Sequence, residues 1–292
     1  MKLHYYKDKV GNFGDDLNRW LWSKVIPIEF DNNDEQIVIG IGTLLNSKLN
    51  TRLPTDSIKI IMGSGAGYGE NLTLDDNWKI YFVRGPLTAE LLGIDESMAI
   101  TDPAVLVKNI DFYSYGRQYE VAIMPHHVSC KGIDWVEVCA NLNIKYINPS
   151  YSVEKVLDII SRTNLLITEA MHGAIVADAL RVPWVPIKMF DHIFDFKWHD
   201  WTRTIGVQYT PQYIFDELFT VKEKSRWDVL SRLNALKKRK QGEEIEGISK
   251  SLQKVIDTEN YILSNESKLN EVHERCMESV NEFIKDTKRV IT

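Results

Sequence analysis

Three cysteines in 292 residues leave little scope for disulfide chemistry. Cys130, Cys139 and Cys276 have no metal-ligand spacing, and so few thiols suit a reducing compartment. Long apolar runs are also lacking. None approaches the ~20 residues of a membrane span, and the first residues lack the apolar core of a signal peptide. A cytoplasmic location is therefore expected. Positive charge is in the minority: 35 Lys and Arg against 41 Asp and Glu give a net charge of -6, which disfavours nucleic acid as the main partner. The local exception, Lys237-Lys238-Arg239-Lys240, reads first as a solvated helix face. Its second reading is a basic patch that rests on the inner face of an anionic membrane.

Several motifs are missing as well. The chain has neither G-x-G-x-x-G nor G-K-[ST], so a dedicated nucleotide loop gets little support. No H-E-x-x-H and no Cys/His cluster marks zinc, so no metal is expected. No G-x-S-x-G elbow presents a serine nucleophile. What is present is a soluble globular composition, 44% hydrophobic and 26% charged, at a length that fits two ordinary domains.

Strand and helix signals alternate through the first ~220 residues, as in parallel-sheet α/β proteins. Leu3 to Tyr6, Gln36 to Ile41, Ile58 to Met62 and Lys79 to Val83 read as strands of a first series. Pro86 can start a helix that Gly93 ends, and a further strand spans Met98 to Thr101. Residues 108–119 have no clear period and read as a connection. Glu120 to Met124, Lys145 to Ile147, Leu165 to Ile167 and Trp184 to Ile187 form a second series. Helices lie between them over Trp135 to Leu142, Val153 to Ser161 and Ala170 to Leu180. The expected architecture is α/β, with two Rossmann-like domains at 1–110 and 118–220 facing a cleft in a GT-B-like arrangement. From 221 to 292 the pattern turns to amphipathic helices, with Asn265-Glu266-Ser267 as a break. This helical extension is expected to pack on the second domain. Self-association through its apolar stripe, giving a homo-oligomer, is the other reading.

Candidate site residues fall where strands end. Thr163 to Leu180 runs from an apolar strand into a helix whose first turn carries His172 and Gly173. Helix starts gather unpaired N–H groups and positive dipole, which suit an anion, and a histidine there can bind an anion or move a proton. Gly11-Asn12-Phe13-Gly14-Asp15-Asp16 has the placement of a phosphate loop, but its two carboxylates suit a helix cap or proton exchange with sugar hydroxyls better. Gly63-Ser64-Gly65-Ala66-Gly67 reads either as an anion nest or as a flexible loop. Arg84 follows a strand and offers a planar fork to carboxylate or phosphate, and His126 and His127 hold the equivalent position in the second series. Lys188, His192, Lys197, Trp198, His199, Asp200 and Trp201 crowd after the last strand. Their tryptophans read as core first and as sugar-stacking rings second.

Taken in order, Gly11 to Asp16, Val83-Arg84-Gly85-Pro86, Thr101-Asp102-Pro103-Ala104, Met124-Pro125-His126 and Glu169-Ala170-Met171-His172-Gly173-Ala174 resemble the polysaccharide pyruvyl transferase family. Phe196 to Trp201 resembles its exopolysaccharide branch. The resemblance covers residues 1 to about 205 and rests on the collinearity of individually weak motifs. It implies a GT-B-like fold, no cofactor, phosphoenolpyruvate as donor co-substrate, and a sugar carrying a ketal-linked pyruvate as product. The acceptor is then a glycan, lipid-linked or free. The resemblance also implies that Arg84 and His172 contact the donor, with the Met171 and Gly173 backbone beside them. Asn12, Gly14, Asp15, Ser64, Gly65, Glu169, Lys188 and Lys197 complete the expected donor contacts, and Trp198 and Trp201 the acceptor contacts. His172 is the expected acid–base group, with Asp16 or His126 as its counterpart. One departure stands out: Ala170 occupies a position where some members carry arginine, so a cation is sought in Lys197, Lys188 or His126. Two other functions suit the same scaffold, a nucleotide-sugar glycosyltransferase and a non-catalytic sugar- or anion-binding protein.

Overall fold

The computed structural model describes residues 1–31, 33–110, 116–214, 241–258 and 260–291. The basic run Lys237 to Lys240 lies outside the described residues. The chain divides into two compact units. The first takes the described residues of Met1–Asp111, Asp195–Tyr209 and Ser264–Thr292, and the second those of Phe112–Phe194 and Thr210–Leu263. Each is an α/β unit built on a parallel sheet.

In the first unit the chain runs β1 (Lys2–His4), α1 (Phe13–Val25), β2 (Gln36–Ile39), β3 (Thr43–Leu45), α2 (Ser47–Arg52), β4 (Ile58–Met62), β5 (Gly65–Ala66), β6 (Trp78–Phe82) and α3 (Pro86–Leu92). The main sheet has the order β1-β2-β4-β6, all parallel, with Leu3, Val38, Ile60 and Lys79 in register. Ile37, Val38 and Ile39 are fully buried, which is why β2 reads as an unbroken apolar run. β3 and β5 form a separate parallel pair, too short to leave a periodic signal. The strand expected at Met98 to Thr101 is reduced to a single bridge between Ala99 and Val83. Helix α3 begins at Pro86 and ends on Gly93 at φ 63°, as the sequence predicts. Asn18 ties α1 to the end of β2: it accepts from the Ile41 N–H at 2.7 Å and donates to the Ile41 carbonyl at 2.9 Å.

The second unit contains β7 (Tyr119–Met124), α4 (Trp135–Leu142), β8 (Lys145–Tyr146), α5 (Val153–Ser161), β9 (Thr163–Thr168), α6 (Met171–Ala179), β10 (Trp184–Lys188) and β11 (Gln212–Tyr213). Its strands lie in the order β8-β7-β9-β10-β11, all parallel. The first crossover runs one way across the sheet and the later ones run the other way. This is the doubly wound order, and its reversal lies between β7 and β9. Among the described strands of the first unit's main sheet, the order follows the sequence and has no such reversal. Among the described strands the switch point therefore lies in the second unit.

Among the described residues three helices follow: α7 (Asp195–Thr204), α8 (Gln241–Asp257) and α9 (Glu266–Ile291). The two that fall within the expected 221–292 extension do not pack together on the second unit. Helix α8 adds Ile245, Ile248, Leu252 and Val255 to the core around Trp135 and Val138 of the second unit. Helices α7 and α9 belong to the first unit. Asn265 marks the expected break, its side chain accepting from the Ser267 N–H at 2.9 Å. The stripe that suggested self-association, Leu269, Val272, Cys276, Val280 and Phe283, is buried within the unit, Phe283 meeting Tyr81 edge-on at 5.4 Å. Among the described residues no helix is long and apolar enough to cross a membrane.

Candidate functional site

The switch point of the second unit is built from the ends of three neighbouring strands. Met124 closes β7 opposite Thr168, which closes β9. One residue further on, the Glu169 N–H donates to the Met124 carbonyl at 3.0 Å. The Glu169 carboxylate is fully buried: Oε2 accepts from the His126 N–H at 3.2 Å and Oε1 from the Met189 N–H at 2.8 Å. Glu169 was expected among the ligand contacts. Instead, both its oxygens receive backbone donors, and the side chain binds together the segments that follow β7, β9 and β10.

Three imidazoles gather beside it. The His126 ring centroid is 4.3 Å from that of His127 and 5.3 Å from that of His192. Nδ1 of His126 faces Nε2 of His192 and the Val128 N–H, each at 3.4 Å. Which of the two rings donates in the His126–His192 contact depends on their tautomers. Among the described residues no three or more His, Cys, Asp or Glu side chains are arranged to hold a metal ion.

Helix α6 starts from the other side of the same point. Eight of its nine residues are buried, and His172 is the one left half-buried. His172 is thus the one residue of α6 that keeps part of its surface exposed. Gly173 has a packing reason rather than a ligand one. A Cβ there would lie 2.8 Å from Thr168 Oγ1 and 2.9 Å from Met124 Sδ, so only glycine lets α6 approach the strand ends. Its N–H donates to the Ala170 carbonyl at 2.9 Å. Lys188 is buried as the last residue of β10. Cys130 sits nearby with its thiol pushed up to about 11, chiefly by burial, with the negative charge of Glu169 adding to the effect. A thiol held protonated at neutral pH is no nucleophile. A cavity of about 490 Å³ opens between the loops after β7 and β8, lined by Gly132, Trp135, Tyr146 and Asn148, and includes none of the histidines.

The expected site residues of the first unit take structural parts. Arg84 is fully buried, and its guanidinium donates from Nε to Asp200 Oδ2 at 2.9 Å, from Nη1 to Thr43 Oγ1 at 2.8 Å and from Nη2 to the Ala66 carbonyl at 3.3 Å. Asp200 also accepts from the Thr88 N–H and hydroxyl. Gly65 makes room for this pair, because a Cβ would sit 2.0 Å from Arg84 Cζ. Its N–H donates to the Gly42 carbonyl, while Gly63 donates to Phe82 and Ala66 to Thr88. Those N–H groups do not form a nest open to an anion. Ser64 is buried and donates to the Gly42 carbonyl at 3.1 Å.

At the start of α1 the Asp16 carboxylate reaches back to the Asn12 N–H at 3.1 Å, and Asp15 accepts from Asn12 Nδ2 at 2.7 Å, so the acidic pair organises a helix start. Gly14 is buried inside that turn. Trp198 and Trp201 are buried with ring centroids 6.3 Å apart, and Trp198 stacks on Tyr209 at 4.8 Å. Neither tryptophan leaves a ring face open to a sugar. Lys197 is half-buried on α7.

Residues 3–189 match the family model for polysaccharide pyruvyl transferase. The succinoglycan biosynthesis protein ExoV of Rhizobium meliloti (strain 1021) is 39% identical over 217 residues, which cover 73% of this chain and 68% of that protein. The chain belongs to the polysaccharide pyruvyl transferase family. The matched span contains His126, Glu169, His172 and Arg84, and it ends before α7. The counter-charge that fixes Arg84 in this pyruvyl transferase family member therefore lies beyond the matched span.

Sequence reading alone placed His126, His127, His172 and His192 at strand ends but did not pair His126 with His192, because only strand order brings the segments after β7 and β10 together. It also treated Asp200 as one of a crowd. The available signal was an aspartate beside two tryptophans, since a carboxylate buried among such rings needs a partner.

Proposed function

We propose that this chain transfers the enolpyruvyl group of phosphoenolpyruvate to a sugar of a cell-surface polysaccharide or its precursor, forming a pyruvate ketal and releasing phosphate. The supporting observation is the gathering of His126 and His172 at the doubly wound switch point, in a chain of this family. Phosphoenolpyruvate carries about three negative charges at neutral pH, so its site needs cationic groups and N–H donors rather than an apolar pocket. In this reading His172, the first-turn backbone at Met171, Lys188 and the His126 cluster hold the donor. Arg84 stays with Asp200. The GT-B-like arrangement expected from the sequence belongs to the same proposal.

The chemistry follows from the donor. His172 delivers a proton to the methylene carbon, turning it into a methyl group, while a sugar hydroxyl bonds to the adjacent carbon. A second hydroxyl of the same sugar then bonds to that carbon as the C–O bond to phosphate breaks. The two hydroxyl protons end on the methyl carbon and on the phosphate, so no reductant, oxidant or resident cofactor enters the balance. His126 takes the hydroxyl proton as counterpart to His172. The acceptor is proposed to be a glycan, free or lipid-linked, met in the cytoplasm or at the inner face of the membrane.

Incubation with phosphoenolpyruvate and a panel of glycans, followed by phosphate release and product mass, tests the reading. Acceptor gaining a three-carbon acid is the expected result. Gain of a sugar from a nucleotide sugar would establish a glycosyltransferase instead. Ligand-stabilised melting without turnover would establish a binding protein.

A further inference from the structure

The Glu169 side chain is a buried charge with an unusual set of partners. Both oxygens accept backbone N–H groups, one from the segment after β7 and one from the segment after β10. Its own N–H closes the third side on Met124. Two backbone donors, one to each oxygen, suit a carboxylate, which accepts at both. Loss of either bond would leave a donor stranded in a water-poor site. The two N–H groups belong to the segments that carry His126 and His192, whose rings face each other at 3.4 Å. His192 lies three positions after Met189, so the position of Met189 limits where the second ring can go.

We propose that Glu169 is a positioning residue: through His126 and Met189 it holds the His126 and His192 imidazoles as one pair facing the switch point, and it makes no contact with the donor. The inference depends on the pyruvyl-transfer reading only for the reaction in which turnover is measured.

The full chain carrying Glu169→Gln offers one acceptor and one donor in the same volume, so one of the two backbone N–H groups meets an NH₂. Glu169→Asp keeps the charge but shortens the reach. Both variants are expected to displace the His126 and His192 imidazole nitrogen resonances without phosphoenolpyruvate present. With donor and acceptor, kcat is expected to fall by roughly 100-fold, as misplacements of about 1 Å can cause, with a much smaller change in KM. Unmoved imidazole resonances in either folded variant would overturn the inference. So would a KM effect with kcat intact. If displacement is seen but phosphoenolpyruvate neither binds nor turns over, the positioning role stands and the proposed reaction falls. Should neither variant fold, amide exchange on the wild type decides. Slow exchange at the His126 and Met189 N–H groups supports the clamp, and exchange as fast as in an open loop refutes it.

Discussion

A guanidinium fully withdrawn from water must find its counter-charge inside the protein, and Arg84 finds it in Asp200. Removing one partner of such a pair strands the other. Asp200→Asn is therefore expected to cost about 3–5 kcal/mol, read by denaturant unfolding of the full chain. A loss below about 1 kcal/mol would mean that solvent reaches the pair. Gly173 gives a subtler case. An added methyl must push aside Thr168 Oγ1 and Met124 Sδ, so Gly173→Ala should destabilise by about 1–3 kcal/mol and shift His172, which follows the same helix start. Activity should then fall in protein that is still folded. Normal turnover in the alanine variant would show that α6 can move without consequence.

At the scale of elements, α9 buries its apolar stripe in the first unit. Phe283 is 1% exposed and packs on Tyr81, so Phe283→Ala is expected to cost about 3–5 kcal/mol in a thermal or denaturant melt. The same helix gives a pH dependence. His273 is held below its ordinary value of 6.5, first by burial and then by the Lys108 charge. His4 on β1 is lowered by burial and by Lys2, Arg52 and Lys7. In both cases the folded state prefers the neutral ring. The stability they contribute is complete above the unfolded value and is lost as pH falls through the lower folded values. Between neutral pH and about pH 5 the melting temperature should fall, and His273→Gln should flatten that fall. An unchanged slope in the variant would assign the effect elsewhere.

Which elements form was largely legible in the sequence, because strands buried on both faces write unbroken apolar runs and helices such as α4 and α5 keep their period. The helix ends at Pro86 and Gly93 were equally plain. β3, β5 and β11 were not, since two or three residues carry no period. Partnership across the chain was illegible for another reason. Arg84 and Asp200 are 116 residues apart, and nothing local says that a strand-end arginine will turn inward rather than face a ligand. The same holds for Trp198 and Trp201, whose rings suit a sugar or a core equally well until burial decides.

For the molecule as a whole, a net charge of -6 opposes the approach of the proposed trianionic donor, yet screening limits that effect to about 8 Å at physiological ionic strength. Local groups at the switch point therefore decide binding, and donor affinity should weaken as salt is raised. Titration of the full chain with phosphoenolpyruvate, following the His126, His172 and His192 imidazole resonances with pyruvate and inorganic phosphate as comparators, tests the central claim most directly. Saturable shifts at His172 and His126, at lower concentrations than either comparator needs, are the predicted result. Phosphoenolpyruvate that leaves all three imidazoles unmoved would contradict it.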